Sequence, residues 1–145
     1  MVLGRWSKLQ GKMARMSRIT RQGKMLCVPM DHGVSVGPVR GLDTIGETIR
    51  LVDEAGATAV LIHKGIIRSI RDPPKAGIIM HVSASTSIGP APNRKMIVSC
   101  VEEAIRLGAD AVSIHVNVGC NEEPEMIQDL GILADECDSW GMPLI

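Results

Sequence analysis

The stretch EAGATAVLIHKG, residues 54–65, contains the end of a helical pattern, a Gly-Ala turn, a short apolar run and a histidine. The stretch RLGADAVSIHVN, residues 106–117, repeats that order, which indicates a unit used more than once. Two further apolar runs, MLCVPM and GIIM, are also too short for a helix. The sequence therefore predicts four strands, over residues 25–30, 58–62, 77–80 and 111–114.

Helical patterns occupy residues 44–57, 93–109 and 124–141. Thr44 and Glu47 have capping-box spacing, and Pro124 lies in the first turn of the third helix. Glycine ends each pattern, at positions 56, 108 and 141. The residues expected to face inward are Ile45, Ile49 and Val52 in the first helix, Ile97, Val101, Ala104 and Ile105 in the second, and Ile127, Leu130, Leu133 and Cys137 in the third.

Strands that alternate with helices are typical of βαβ units in a parallel sheet, either a (βα)8 barrel or a doubly wound open sheet. No GxGxxG motif follows the first strand, and the chain ends in SWGMPLI, which reads as the start of a fifth strand. A complete barrel has about 250 residues. The sequence therefore predicts a leading basic helical segment over 1–24, followed over 25–145 by the first four βα units of a truncated (βα)8 barrel.

The charge balance favours a small-molecule partner. The chain has 16 basic and 16 acidic residues among 145, which gives no electrostatic case for nucleic acid or an anionic membrane. The basic stretch from Lys8 to Lys24 is interpreted as a solvated helix, with nucleic-acid or membrane contact as the alternative. The four cysteines form no CxxC pair and are expected to be reduced and structural. Without an apolar run long enough for a signal peptide or a membrane span, a cytoplasmic protein is expected.

Polar residues follow each predicted strand, where the carboxyl ends of parallel strands form the functional face. These candidates are Asp31 and His32, His63 and Lys64, His81 and Ser83, and His115 and Asn117. All four histidines of the chain thus fall at one level, which is compatible with a metal site or with hydrogen bonding to neighbouring groups. Hydrogen bonding is the favoured interpretation, and neither a metal nor an organic cofactor is predicted.

Asp31 is the strongest candidate for chemistry. A carboxylate placed after mostly apolar residues is partly removed from water, a setting that suits a general acid or base. The adjacent Gly33 permits close approach of a substrate, and Val34 and Ser35 can offer backbone N–H groups to a carbonyl oxygen. Lys64 could form a Schiff base, but a salt bridge to Asp31 is the favoured expectation.

The loop over residues 82–95, VSASTSIGPAPNRK, follows the third strand. Its hydroxyl, glycine and proline residues fit a loop beside the substrate or an ordinary turn equally well. Phosphate binding by this loop is a weak possibility that the sequence leaves open.

Four motifs together resemble one enzyme family. The stretches VPMDHGVSVGPVRGL, AVLIHKGIIR, EEAIRLGADAVSIHVNVG and WGMPLI are similar to archaeal-type 2-amino-3,7-dideoxy-D-threo-hept-6-ulosonate synthases and to the related class I fructose-bisphosphate aldolases. The resemblance implies a (βα)8 barrel with a lysine Schiff base and no cofactor. In the synthase, a ketose phosphate donor reacts with aspartate semialdehyde on the route to 3-dehydroquinate and aromatic amino acids. SIHVNVG and WGMPLI favour the synthase over the aldolase.

The resemblance also implies the roles of particular residues. It places the proton acceptor at Asp31 and a substrate-binding segment over Asp31, His32, Gly33, Val34 and Ser35. The family's proton-donor tyrosine and Schiff-base lysine lie on strands five and six, beyond residue 145, and this chain has no tyrosine. Negligible activity of the isolated chain is therefore expected, with self-association through unpaired strand edges. A non-catalytic half-barrel assembly domain is the alternative, and the family commonly forms homo-oligomers.

Overall fold

The computed structural model describes the backbone of residues 3–145 and the side chains of residues 9–145. Residues 1 and 2 of the predicted leading segment, and the side chain of Lys8, lie outside that part. In chain order the elements are α1 (Leu3–Ile19), β1 (Cys27–Pro29), α2 (His32–Val36), α3 (Ile45–Glu54), β2 (Ala59–His63), α4 (Lys64–Ser69), β3 (Gly77–His81), β4 (Ser83–Ala84), β5 (Met96–Ile97), α5 (Val101–Arg106), β6 (Ala111–Ser113) and α6 (Glu123–Trp140). None of the described helices is both long and apolar enough to cross a membrane.

Strands β1, β2, β3 and β6 form one parallel sheet in that order. Each lies within one or two residues of a predicted strand, so the prediction of four parallel strands is confirmed. The segment after α6 runs beside β6, where Leu144 forms a parallel bridge with Val112. The N–H of Ile145 donates to the Val112 carbonyl at 3.0 Å. The final residues thus begin a fifth strand, as the sequence predicts.

The outer face of the sheet packs against the helices. Its side chains alternate with those of the inner face, so Val60, Ile62, Met80 and Val112 share one core with helix residues. Ile49 of α3, Ala104 of α5 and Leu133 of α6 belong to that core, as expected. The core between the sheet and these helices keeps the four strands side by side, so that their carboxyl ends lie at a common level.

The inner face of the sheet packs against the end of α1. Ile19 is fully buried against Ala59, Ile79 and Ala111, and Met16 and Leu61 flank this second core. Gly77, at the start of β3, lies directly under the last turn of α1, because an added Cβ would stand 2.7 Å from Ile19 Cγ2. Helix α1 therefore covers the amino-terminal end of the inner face.

Two basic residues of the leading segment attach α1 to the rest of the molecule. Arg18 forms an ion pair with the buried Asp110, whose other oxygen accepts the N–H of Ile78 at 3.0 Å. Arg15 donates to the carbonyl oxygen of Gly141 at 3.1 Å. Part of the basic stretch is therefore occupied by contacts within the chain.

The second predicted helix begins later than expected, and this prediction is wrong for residues 93–100. Met96 and Ile97 form β5, antiparallel to β4, and the next N–H, of Val98, donates to the Val82 carbonyl at 2.9 Å. Ile97 is consequently 38% exposed rather than on a buried helix face. Two consecutive β-branched residues, Ile97 and Val98, favour the extended conformation, and pairing with β4 satisfies their backbone groups. Helix α5 then runs only from Val101 to Arg106.

The third predicted helix is confirmed as α6, with one error in its buried face. Ile127 is 50% exposed, and Met126 takes the inward position instead. Met126, Leu130, Leu133 and Cys137 follow helical spacing, so the predicted stripe was wrong by one residue at its start. Gly141 ends the helix in the left-handed conformation with φ of 57°.

All four cysteines are free, and burial raises the pKa of the Cys137 thiol to about 11.

The first predicted helix is confirmed as α3, but its capping box does not form. Thr44 stands at the N-cap without a side-chain hydrogen bond, and only its carbonyl oxygen accepts the N–H of Glu47, at 2.9 Å. The positive φ of 94° at Gly56 ends the helix as expected. Thr44 and Gly56 therefore mark the two ends of α3 correctly, but they do so through their backbone and not through a side-chain cap.

Candidate active site

A row of polar side chains crosses the carboxyl ends of the strands on the inner face. In the sheet register His63 pairs with His81, and His81 pairs with Ser113. Asp31 lies two residues beyond Pro29, which pairs with Leu61 two residues before His63. Because side chains two residues apart point to the same face, the four groups share one side of the sheet. Hereafter Asp31, His63, His81 and Ser113 are called the polar row.

His81 is the centre of the polar row. Its Nδ1 is hydrogen-bonded to Oγ of Ser113 at 2.7 Å, and its Nε2 lies 3.3 Å from Oγ of Ser83 and 3.8 Å from Oδ2 of Asp31. The ring of His63 packs edge-on against it with centroids 5.2 Å apart. The side chain of His81 is 9% exposed and that of Asp31 is 25% exposed. The carboxylate thus reaches solvent while the imidazole behind it does not.

Burial keeps the two central imidazoles neutral. Burial lowers the pKa of His81 from 6.5 to about 4; the negative charge of Asp31 opposes that change, and His63, His115 and Lys95 add to it. Burial also lowers the pKa of His63, again opposed by the charge of Asp31 and by a backbone hydrogen bond. At neutral pH the contact between His81 and Asp31 is therefore one between a neutral ring and a carboxylate, not an ion pair.

The lowered pKa of His81 predicts that the protein loses stability in mild acid. In the unfolded chain the histidine binds a proton below about pH 6.5, whereas in the folded chain it does so only near pH 4. Stability is therefore complete above about pH 6.5 and falls as the pH decreases toward 4, by about 3 kcal/mol in total. Urea unfolding at several pH values in this window measures the loss.

The His81→Asn variant supplies the control for this pH dependence. It removes the titrating ring, so its unfolding free energy should change less between about pH 6.5 and about pH 4.5 than that of the wild type. Equal slopes in the two proteins would show that His81 is not the source of the acid sensitivity.

Lys64 does not pair with Asp31, and that expectation is wrong. Its Nζ donates to the carbonyl oxygen of Val98 at 2.6 Å and to Oε2 of Glu103 at 3.2 Å. Arg68 donates to the other oxygen of Glu103 at 2.6 Å. Lys64 opens α4 and extends toward α5, because the helix that follows β2 turns this side chain to the outer layer. These hydrogen bonds also occupy the amine of Lys64, which was the alternative Schiff-base nucleophile in the sequence analysis.

The segment after Asp31 forms the short helix α2. His32 is 57% exposed at its side chain, and its Nδ1 lies 3.9 Å from Oδ1 of Asp31. Gly33, Val34 and Ser35 follow within α2, and the Ser35 carbonyl accepts the N–H of Ser87 at 2.8 Å. The predicted substrate-binding segment therefore stands at the edge of the polar row, in contact with the loop after β4.

The two candidates after β6 differ in their surroundings. His115 is exposed at the surface, and its backbone N–H donates to Oγ of Ser83 at 3.0 Å. The side-chain amide of Asn117 donates to the carbonyl oxygen of Asn93 at 2.7 Å. Asn117 thus holds the loop before β5, while His115 places its ring near His81.

Sequence reasoning missed two residues near the polar row. Ser113 lies within the apolar run predicted as the fourth strand, and its register opposite His81 makes it the partner of that ring. Lys95 lies close enough to influence the pKa of His81, and its Nζ donates to Oγ of Ser85 at 2.8 Å. The alternation of side chains along AVSIH, which places Ser113 and His115 on one face, was the signal available for Ser113.

The four histidines do not converge as metal ligands in the described part of the chain. The group there whose ligand atoms lie within 4.8 Å of one another is Cys100, Glu102 and Glu136, between α5 and α6. That group stands on the outer layer, apart from the polar row. The geometry of the polar row instead suits proton transfer by Asp31 beside neutral, hydrogen-bonded rings.

Two solved structures of aldolases share this fold. A Schiff-base-forming fructose-1,6-bisphosphate aldolase matches with a TM-score of 0.80 and 26% identity, over 92% of this chain and 55% of that one. An archaeal fructose-1,6-bisphosphate aldolase whose catalytic lysine carries a carbinolamine intermediate matches with a TM-score of 0.79 and 27% identity, over the same shares. The parallel sheet is thus of the aldolase barrel type, and the chain corresponds to about half of such a barrel.

The sequence comparisons give the family. Residues 25–145 match the model of the DeoC/LacD family aldolases. The chain is 44% identical to 2-amino-3,7-dideoxy-D-threo-hept-6-ulosonate synthase 1 of Archaeoglobus fulgidus, over 93% of this chain and 52% of the relative. The identity is also 44% with the synthase of Halobacterium salinarum, over 93% and 51%. The chain belongs to the DeoC/LacD family of aldolases and spans about half the length of these curated relatives.

Proposed function

We propose that the chain forms one half of the barrel of a cytoplasmic Schiff-base enzyme of the 2-amino-3,7-dideoxy-D-threo-hept-6-ulosonate synthase type, the half that contains Asp31. The observation that carries this proposal is the position of Asp31, partly exposed at the carboxyl ends of a parallel aldolase-type sheet and next to a buried neutral imidazole. Identity of 44% to two synthases supports the choice within the family.

In this proposal Asp31 accepts and returns the proton that carbon–carbon bond cleavage or formation requires. Its carboxylate is within reach of a substrate from the solvent side, while the buried ring of His81 lies on its other side. Gly33, Val34 and Ser35 border the same opening and bind the substrate, with His32, His63 and His115 at its margin. No metal or organic cofactor takes part in the proposed reaction.

The Schiff-base lysine is proposed to come from the other half of the barrel. The amine of Lys64 is held by Val98 and Glu103, so it is not poised to attack a carbonyl carbon. The matched relatives are about twice as long as this chain, which leaves room for strands that carry the lysine and the proton-donor tyrosine. The isolated 145-residue chain is therefore proposed to be inactive.

The proposed substrates are a phosphorylated keto sugar as donor and aspartate semialdehyde as acceptor, in aromatic amino acid biosynthesis. The second candidate is cleavage of fructose 1,6-bisphosphate, favoured by the similarity to two Schiff-base aldolase structures. The lower identity to those aldolases, 26% and 27%, places this candidate second.

Reassembly of a complete barrel tests the proposal. The chain is co-expressed with the part of the Archaeoglobus fulgidus synthase that lies outside the matched half, and the complex is isolated by size exclusion with light scattering. The reassembled enzyme is then assayed with a ketose phosphate donor and either aspartate semialdehyde or glyceraldehyde 3-phosphate as acceptor. Turnover with aspartate semialdehyde is expected.

Two results would contradict the proposal. A folded one-to-one complex that turns over only fructose bisphosphate would establish the second candidate. A covalent adduct on Lys64, formed when the isolated chain is treated with a keto-sugar phosphate and borohydride, would show that the chain holds its own nucleophile. A Lys64→Arg variant, which keeps the charge, is the control for the site of labelling.

The isolated chain is expected to self-associate. Within the described residues β1 pairs only with β2, so one edge of the sheet is open, and Val118 and Ile88 are 81% and 95% exposed. Unpaired parallel edges and exposed apolar side chains favour association. Light scattering should give a mass of at least twice the 15.6 kDa of the chain. A sharp monomer mass together with a cooperative melt would argue against this prediction.

We also propose that the chain divides near residue 24. The family match begins at residue 25, after α1 and the turn that follows it. In this division residues 1–24 form a leading basic helical segment and residues 25–145 form the partial barrel. Such barrels are proposed to work as homo-oligomers. A non-catalytic assembly domain is the alternative if no reassembled complex shows turnover.

A further inference from the structure

Two buried hydroxyls, those of Ser83 and Ser113, flank the ring of His81, and a neutral ring can accept a hydrogen bond from only one of them. The hydroxyl oxygen of Ser83 accepts a hydrogen bond from the backbone N–H of His115 at 3.0 Å. Ser113 is 3% exposed, and its hydroxyl is hydrogen-bonded to Nδ1 of His81 at 2.7 Å. A buried hydroxyl that fails to donate loses its hydrogen bond to water without replacement, which is costly. Donation from Ser113 to Nδ1 of His81 avoids that loss for Ser113. Ser83, 1% exposed and 3.3 Å from Nε2, makes the opposite demand through a longer contact, so the charge of Asp31 decides between the two.

Donation from Ser113 fixes the tautomer of the neutral ring. When Nδ1 accepts, the proton of His81 lies on Nε2. Nε2 faces two oxygens, Ser83 Oγ at 3.3 Å and Asp31 Oδ2 at 3.8 Å. A bare nitrogen lone pair facing a carboxylate would be repelled, so the charge of Asp31 favours the same tautomer.

We propose that His81 is a positioning residue for Asp31: its Nε2–H, oriented by Ser113, holds the carboxylate at the mouth of the barrel. This role deepens the proposed function, because it assigns a group that orients the proton acceptor toward the substrate. The two atoms are 3.8 Å apart, which is longer than a hydrogen bond, and such contacts are commonly long in the absence of substrate.

The charged and titratable groups that face His81 come from each neighbouring element. His63 packs from β2, His115 from the segment after β6, Lys95 from the segment before β5, and Asp31 from the end of β1. Asp31 is the carboxylate in this set. It is therefore the group toward which a ring N–H is drawn most strongly.

Nuclear magnetic resonance of the 145-residue chain tests the assignment directly. Long-range ¹H–¹⁵N spectra of histidine-labelled protein distinguish a ring protonated at Nε2 from one protonated at Nδ1. We expect His81 to carry its proton on Nε2 at neutral pH, and to keep that state in Ser69→Ala, a surface hydroxyl control. A proton on Nδ1 would overturn the proposal.

The second readout is the ¹³C resonance of the Asp31 carboxyl group in three variants. The amide nitrogen of glutamine reaches the place of Nε2, whereas that of asparagine reaches the place of Nδ1, so His81→Gln keeps the donor to Asp31 and His81→Asn loses it. The resonance should stay near its wild-type position in His81→Gln and move in His81→Asn and Ser113→Ala. Equal movement in the Gln and Asn variants would assign His81 a merely structural role. The proposal would also be overturned if the Asp31 carboxyl resonance failed to move in His81→Asn or failed to move in Ser113→Ala.

These measurements need no aldol activity. Failure of the reassembled enzyme to turn over would therefore count against the proposed function, while the tautomer and the carboxyl resonance decide the role of His81 by themselves.

Discussion

Asp31→Asn is expected to lower the aldol activity of the reassembled enzyme by ~10²–10⁴-fold, the usual contribution of a positioned general acid or base. Asparagine has nearly the same size as aspartate but cannot accept a proton in the working pH range. The loss should fall on turnover rather than on the stability of the complex, because the side chain is 25% exposed and carries no hydrogen bond on which a strand depends. Steady-state kinetics with the ketose phosphate donor measure it.

Asp72→Asn is the matched control for Asp31→Asn. Asp72 is an exposed carboxylate in the loop before β3, at the opposite end of the strands from the polar row. Its replacement should leave turnover within about twofold of the wild type, since surface substitutions away from a site have small effects. Activity of the Asp31→Asn enzyme within tenfold of wild type would refute the assignment of Asp31 as proton acceptor.

Gly77→Ala is expected to destabilise the chain by about 3 kcal/mol, the upper part of the range for overpacking a buried site. The new Cβ would lie 2.7 Å from Ile19 Cγ2 and 2.8 Å from the carbonyl oxygen of Arg18. The second contact is to backbone, so a side-chain rotation cannot relieve it. Either α1 or the start of β3 must move. Urea unfolding of the two proteins gives the difference in free energy.

Gly131→Ala separates this steric effect from the general effect of adding a methyl group. Gly131 lies within α6, and an added Cβ there meets nothing within 4 Å. Alanine at an exposed helical position should stabilise the chain by ~0.5–1 kcal/mol. If Gly77→Ala unfolded at the same urea concentration as the wild type, α1 would not be packed on the inner face as described.

The four parallel strands could be predicted because their signal is local. Short apolar runs bounded by glycine are typical of buried strands. The repeated order of helix end, apolar run and histidine indicates that these strands run parallel to one another. The position of Asp31 followed from the same signal, since the carboxylate comes directly after a strand. That His63 and His81 share a face required only the period of two along each strand.

The errors came from contacts between residues far apart in sequence. The helical pattern over 93–98 is compatible with strand β5 because pairing with β4 decides between them. Lys64 has Glu103 as its partner, 39 residues away, and no local pattern predicts that choice over Asp31. Alternation along AVSIH places Ser113 on the same face as His115, but its pairing with His81 depends on the sheet register.

The contact between Arg15 and Gly141 joins positions 126 residues apart. Together with the burial of Ile19 against β2, β3 and β6, it means that α1 is synthesised before its partners and cannot complete its packing until the chain as far as Gly141 has emerged from the ribosome. During synthesis the apolar side of this helix therefore stays uncovered until its partners have been made. The order of translation and the order of folding are therefore reversed for this helix: it is made before its partners but reaches its native place only once they are present.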